Sequence, residues 1–123
     1  GLNKHITIMP YQQEWYGMLK SATALVSMSE FEGTPNVLLE AVHAGCPVIV
    51  SDIQEHREIF DNKSAYFVPL KSYKKLAIAI DHIFDDPLRY KNQAVVAKSM
   101  VKIQTISAVY QSYLSVYKKI LRD

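Results

Sequence analysis

The sequence predicts an α/β fold, a doubly wound parallel sheet covered by helices on both faces, and three observations carry that expectation. Short β-branched apolar runs alternate with segments of helical period. The runs are apolar throughout rather than alternating apolar and polar, the pattern of strands buried on both sides. Proline and glycine punctuate the junctions between them.

Taken in order, residues 5–9 (HITIM) form a β-branched run closed by Pro10 and read as a strand. Residues 11–21 place Trp15, Met18 and Leu19 at helical spacing. A second strand is expected over 23–28 (TALVSM), followed by a loop over 29–34. Pro35 suits the first position of a helix, where its missing N–H is not needed, and that helix runs to Ala44 before Gly45, a residue suited to leaving a helix. A third strand is predicted over 47–51 (PVIVS), a short helix over 54–60 and a fourth strand over 65–68 (AYFV). Beyond Ser72 the pattern is helical: 72–84 carries Leu76, Ile80 and Ile83, Pro87 opens another helix, and 102–122 carries Ile103, Ile106, Tyr110, Tyr113, Tyr117 and Leu121. Four strands with covering helices make part of a doubly wound domain, and a first βα unit is expected to be missing. Gly1 stands where an initiating Met would, and a chain boundary within a longer protein is expected there.

Composition bounds the function. The chain has 123 residues, 49% hydrophobic and 21% charged, which fits one globular domain over 1–123 with a sizeable core. With 14 Lys+Arg against 12 Asp+Glu the net charge is +2, so no basic field argues for a nucleic-acid partner. The single cysteine, Cys46, has no partner for an internal disulfide, and no charged segment followed by an apolar one opens the chain. No apolar run approaches the roughly 18 residues that span a bilayer. The expected location is the cytoplasm, with membrane contact at most peripheral at the inner face of the plasma membrane. His43 and His56 are read as structural, Cys46 as a small buried hydrophobe, and no Cys/His spacing suggests a metal. The aromatic stripe of 102–122, ending in Lys118, Lys119 and Arg122, is read as a packing surface toward this domain or a missing one rather than a membrane-surface helix.

The informative stretch is 29–47, SEFEGTPNVLLEAVHAGCP. It leaves the carboxyl end of a strand, the edge at which open α/β sheets bind ligands. With Thr34 as N-cap and Pro35 as first helical residue, the backbone N–H groups of Asn36, Val37 and Leu38 fall in the unsatisfied first turn, at the positive end of the helix dipole, and can receive a phosphate or diphosphate. Gly33 offers a turn with positive φ and a backbone that a ligand can approach closely. Glu40 is flanked by Val37, Leu38, Leu39, Ala41 and Val42, and a carboxylate in so apolar a helix needs a partner; a ribose diol, with two hydroxyl donors, would supply one, as would a lysine or solvent. Glu32 lies in the loop ahead of the helix, where it is open to reading as a solvated loop carboxylate.

Glu32 and Glu40 form an E-x7-E pair inside S-x-x-E-G-x-P-N-V-L-L-E-A, followed by A-G-C-P-V-I-V-S-D and Glu58. This resembles the GT-B retaining glycosyltransferases of the large group 1 family, over nearly the whole chain up to Val68. The resemblance implies the C-terminal, donor-binding domain of a two-domain enzyme, Rossmann-like in fold, with the N-terminal acceptor domain absent and the isolated piece inactive. It implies that Glu40 holds the ribose hydroxyls, that Glu32 takes a catalytic or sugar-orienting role, and that the amides of Asn36, Val37 and Leu38, with Gly33, Thr34 and Pro35, cradle the diphosphate. Met9, Pro10 and Tyr11 match the region bordering the base. The implied reaction moves a hexose or N-acetylhexosamine, with retained configuration and no metal cofactor, from a nucleotide diphosphate sugar, UDP-linked by family frequency, to a glycan or lipid-linked acceptor. O-antigen, lipopolysaccharide or capsule synthesis is the expected setting. Two features depart from the family pattern: Gln54 and Glu55 follow Asp52 where relatives often carry Gly-Gly, and the basic pair that relatives place on the phosphates has no counterpart in this chain. Against this reading stand a non-catalytic nucleotide-binding or interaction module of the same fold, and a response-regulator or dinucleotide-binding domain; the latter lacks its strand-end Asp pair or G-x-G-x-x-G turn.

Overall fold

A computed structural model describes residues 1–101 and 106–121. Strands β1 (Leu25–Ser27), β2 (Val48–Ser51) and β3 (Tyr66–Val68) form one parallel sheet in the order β1-β2-β3. Leu25 pairs with Val48 and Ser27 with Val50; Ile49 pairs with Tyr66 and Ser51 with Val68. Six α-helices accompany it: α1 (Trp15–Ser21), α2 (Asn36–Ala44), α3 (Gln54–Arg57), α4 (Tyr73–Asp85), α5 (Pro87–Met100) and α6 (Ile106–Ile120).

The side-chain alternation of β2 divides the core into two layers. Val48 and Val50 pack with Leu19 of α1, Leu38, Ala41 and Val42 of α2, and Ala97 of α5, whereas Ile49 faces Val68, Ala79 and Ile83 of α4, and Tyr90 of α5. All four residues of β2 are buried, so the apolar run PVIVS is covered on both faces. The doubly wound reading holds.

Helix ends follow the local chemistry. Gly45 adopts φ 77°, ψ 21°. Its N–H donates to Val42 O at 3.0 Å and that of Cys46 to Ala41 O at 2.9 Å, the paired bonds of a Schellman ending. Lys98 Nζ donates to the exposed carbonyl of His43 at 3.0 Å, placing a cation at the negative end of α2. Asp86 caps α5 by accepting from Arg89 N–H at 3.1 Å, with Pro87 in the first turn.

Two expectations are corrected. The run at 5–9 is not a strand: residues Leu2–His5 form a 3-10 turn, and Ile6 and Ile8 are exposed at 61% and 93%. The described sheet therefore has three strands, because extended conformation becomes a strand only where a neighbour completes its hydrogen bonds. The segment after Asp52 makes one helical turn, Gln54–Arg57, shorter than the expected 54–60. Of the expected last helix over 102–122, Ile106–Ile120 is helical; residues 102–105, Arg122 and the side chain of Ile106 lie outside the described residues. Tyr110, Tyr113, Tyr117 and Leu121 are exposed, and Leu114 is half-buried.

Candidate active site

The carboxyl ends of the three strands open into three loops on one edge of the sheet: 28–35 after β1, 52–53 leading into α3, and 69–72 after β3. Residues 29–34 carry Glu32 and Gly33, and α2 starts immediately beyond. The helix begins at Asn36, with Pro35 in the cap position at φ −79°, ψ 68° and no side-chain cap bond. Thr34 thus lies one residue further from the helix than the sequence suggested, a shift within the usual ambiguity of helix ends.

The first turn has a definite pattern of occupied and open amides. Asn36 N–H donates to Thr34 O at 2.8 Å, and Leu38 N–H to Pro35 O at 3.0 Å. Val37 N–H has no protein acceptor among the described residues, and nor do the amides of Gly33 and Thr34. Open donors therefore cluster at 33, 34 and 37, at the positive end of α2. Gly33 does not adopt positive φ, Gly45 being the glycine that does, so the expected left-handed turn is absent. A Cβ built on Gly33 would meet nothing within 4 Å; the space above its backbone is open.

Glu40 sits one turn into α2, half-buried, between the buried Leu38 and Ala41. Its carboxylate accepts no hydrogen bond and joins no ion pair among the described residues. Glu32 is likewise half-buried and unpaired. Two carboxylates without protein partners thus flank the open amides, an arrangement complementary to a ligand that presents both anionic oxygens and hydroxyl donors. Met9, Pro10 and Tyr11 are exposed, and the first two line a separate cavity of about 600 Å³ with Trp15, Met18, Leu19 and Leu25. None of residues 29–40 borders it, so the base-side loop and the α2 end do not share one cavity.

The loop after β2 is where sequence reasoning was least informative. Gln54 and Glu55 lie in the single turn of α3. Gln54 Nε2 donates to Glu58 Oε1 at 3.1 Å. Arg57 grips Asp52 with two bonds of 2.6 and 2.9 Å, donates to Asn62 Oδ1 at 2.8 Å and lies 3.5 Å above the ring of Phe67. The guanidinium bonds hold the Asp52 carboxyl below the usual carboxylate range, against the opposing effect of desolvation. The pair's stabilisation is therefore present above the ordinary carboxylate pKa and is lost as pH falls through the lowered value.

Within that loop His56 is fully buried. Its Nδ1 lies 2.8 Å from Ser51 O and 3.3 Å from Ser51 Oγ, and Ser51 Oγ–H donates to Ser29 O at 2.5 Å. Its Nε2 is buried with no partner. Cys46 is buried as expected, its thiol pKa raised chiefly by desolvation. No group of three or more His, Cys, Asp or Glu side chains that could hold a metal ion occurs among the described residues. No described helix is long and apolar enough to cross a membrane.

The family described as "Glycosyl transferases group 1" matches residues 1–100. A capsular polysaccharide biosynthesis glycosyltransferase, CapH of Staphylococcus aureus, is 39% identical over 59 residues, which cover 48% of this chain and 17% of that protein. The crystal structure of TarM superposes with a TM-score of 0.74 at 20% identity, covering 87% of this chain and 22% of TarM, a likeness of fold. The chain spans about a fifth of the length of either protein. With its parallel sheet, its E-x7-E loop and helix, and a family match over four-fifths of its length, this chain belongs to the group 1 glycosyl transferases.

Proposed function

We propose that the chain is the donor-binding part of a retaining glycosyltransferase, receiving a nucleotide diphosphate sugar at the N-terminus of α2. The observation that carries this reading is the half-buried, unpartnered Glu40 carboxylate one turn behind the open amides at 33, 34 and 37. The diphosphate accepts from those amides, and the ribose hydroxyls donate to Glu40. Glu32, at the loop's approach to the helix, lies by the donor sugar. As the bond from sugar to diphosphate breaks, negative charge grows on the departing phosphate oxygen, and fixed N–H dipoles stabilise it without reorganising.

The donor is a UDP-linked hexose or N-acetylhexosamine and the acceptor a glycan or lipid-linked glycan, held by an acceptor domain that closes on this one. The name of the Staphylococcus aureus relative supports bacterial surface polysaccharide, capsule in particular, as the product. Such an enzyme works in the cytoplasm, with at most peripheral contact at the inner membrane face.

Calorimetric titration of the chain with UDP, GDP and ADP tests the site. UDP is expected to bind selectively, and Glu40→Ala to weaken it about tenfold or more, the loss of a charge-assisted bond pair. Absence of binding at millimolar nucleotide, or binding indifferent to Glu40→Ala, would sink the assignment and favour an interaction module of the same fold. With the acceptor domain present, Glu32→Ala should abolish transfer while leaving UDP affinity within about threefold of wild type, a difference under about 1 kcal/mol.

A further inference from the structure

We infer that His56 and Ser51 are positioning residues that lock the Glu32 loop to the floor of the sheet, coupling the loop after β1 to the loop after β2. This rests on the reading that the 29–38 segment receives the donor. The chain of bonds is short and buried. Ser51 is the last residue of β2 and is fully buried, as is His56 on α3. A carbonyl only accepts, so His56 Nδ1 carries the proton and donates to Ser51 O at 2.8 Å, with the Ser51 hydroxyl oxygen 3.3 Å away as a second acceptor. That leaves the hydroxyl proton of Ser51 directed to Ser29 O, at 2.5 Å.

Ser29 opens the loop that carries Glu32 and Gly33, while His56 belongs to the helical turn Gln54–Arg57. The bonds therefore run from one wall of the site, through the end of β2, to the other wall. The turn that starts at Gln54 brings His56 back over Ser51. The remaining loop is attached more loosely, through the Lys71–Glu30 ion pair of 3.5 Å between exposed side chains, an interaction that solvent screens. The fixed point of the Glu32 loop is thus its start, at Ser29.

Backbone relaxation by NMR on the chain tests the strut without any ligand. In the wild type the amides of residues 29–32 should be as ordered as those of β2, with order parameters near about 0.85, and Ser51→Ala should lower them toward about 0.6. His56→Leu should do the same. His56→Asn, whose side-chain amide N–H occupies the place of Nδ1–H, should restore wild-type order; His56→Gln, which places its amide at the Nε2 position, should not. Thermal midpoints measured alongside separate loss of the strut from loss of the fold. Loop order unchanged in Ser51→Ala, or equal effects of His56→Asn and His56→Leu, overturns the inference. UDP titration of the same variants separates the two readings. Wild-type binding weakened about tenfold by Ser51→Ala and kept by His56→Asn supports both, whereas loop effects with no wild-type UDP binding support the strut and overturn the donor site.

Discussion

Helix α2 buries Leu38, Ala41 and Val42 to 1% exposure or less, whereas in α6 Tyr110, Tyr113, Val116, Tyr117 and Ile120 stand between 56% and 63% exposed. Both helices show an apolar stripe at helical spacing, and both would be read from sequence as core-facing. The difference lies in what stands opposite. The face of α2 meets β1, β2, α1 and α5, and its far end is closed by Gly45 and Lys98. Those five side chains of α6 are offered to solvent instead. Helical periodicity specifies a face; it does not specify a partner.

The contrast can be tested by substitution. Leu38→Ala opens a cavity under the sheet and should cost about 2–5 kcal/mol, lowering Tm by about 10 °C or more in thermal unfolding. Gly45→Ala forces a side chain into left-handed backbone where space is otherwise open, so the cost is conformational alone, about 1 kcal/mol in the same assay. Tyr117→Ser in α6 should change stability by less than about 0.5 kcal/mol. A Tyr117→Ser loss rivalling that of Leu38→Ala would show that the two helices do not differ in solution as they do here.

The strands at 25–27, 48–51 and 66–68 were legible because their apolar runs are continuous and bounded by Pro, Gly or Ser; in the central one, 48–51, burial on both faces demands that continuity. The run at 5–9 has the same β-branched composition and fails because pairing is a property of two segments, which one segment's composition cannot encode. Glu40 stood out in the sequence as an acidic residue in an apolar helix, and it is half-buried with no partner among the described residues. The open amides are only partly as foreseen: Val37 N–H is available, while those of Asn36 and Leu38 donate to the carbonyls of Thr34 and Pro35. Gly33 keeps the open approach but not the positive φ. The His56–Ser51–Ser29 bonds could not be read at all, since they join residues 22 apart through a backbone carbonyl, a group every residue carries.

The central strand has a consequence for the timescale of exchange with solvent. Because β2 is buried along its whole length and paired on both sides, its amides can reach water only when the domain as a whole opens. In deuterium exchange, residues 48–51 should be the last to label, while 29–34, with amides that no carbonyl protects, should label early even if held in place. A ligand settling on those amides would then slow the labelling of the loop and leave the strand beneath it unchanged, a local signature of occupancy that requires no knowledge of the sugar.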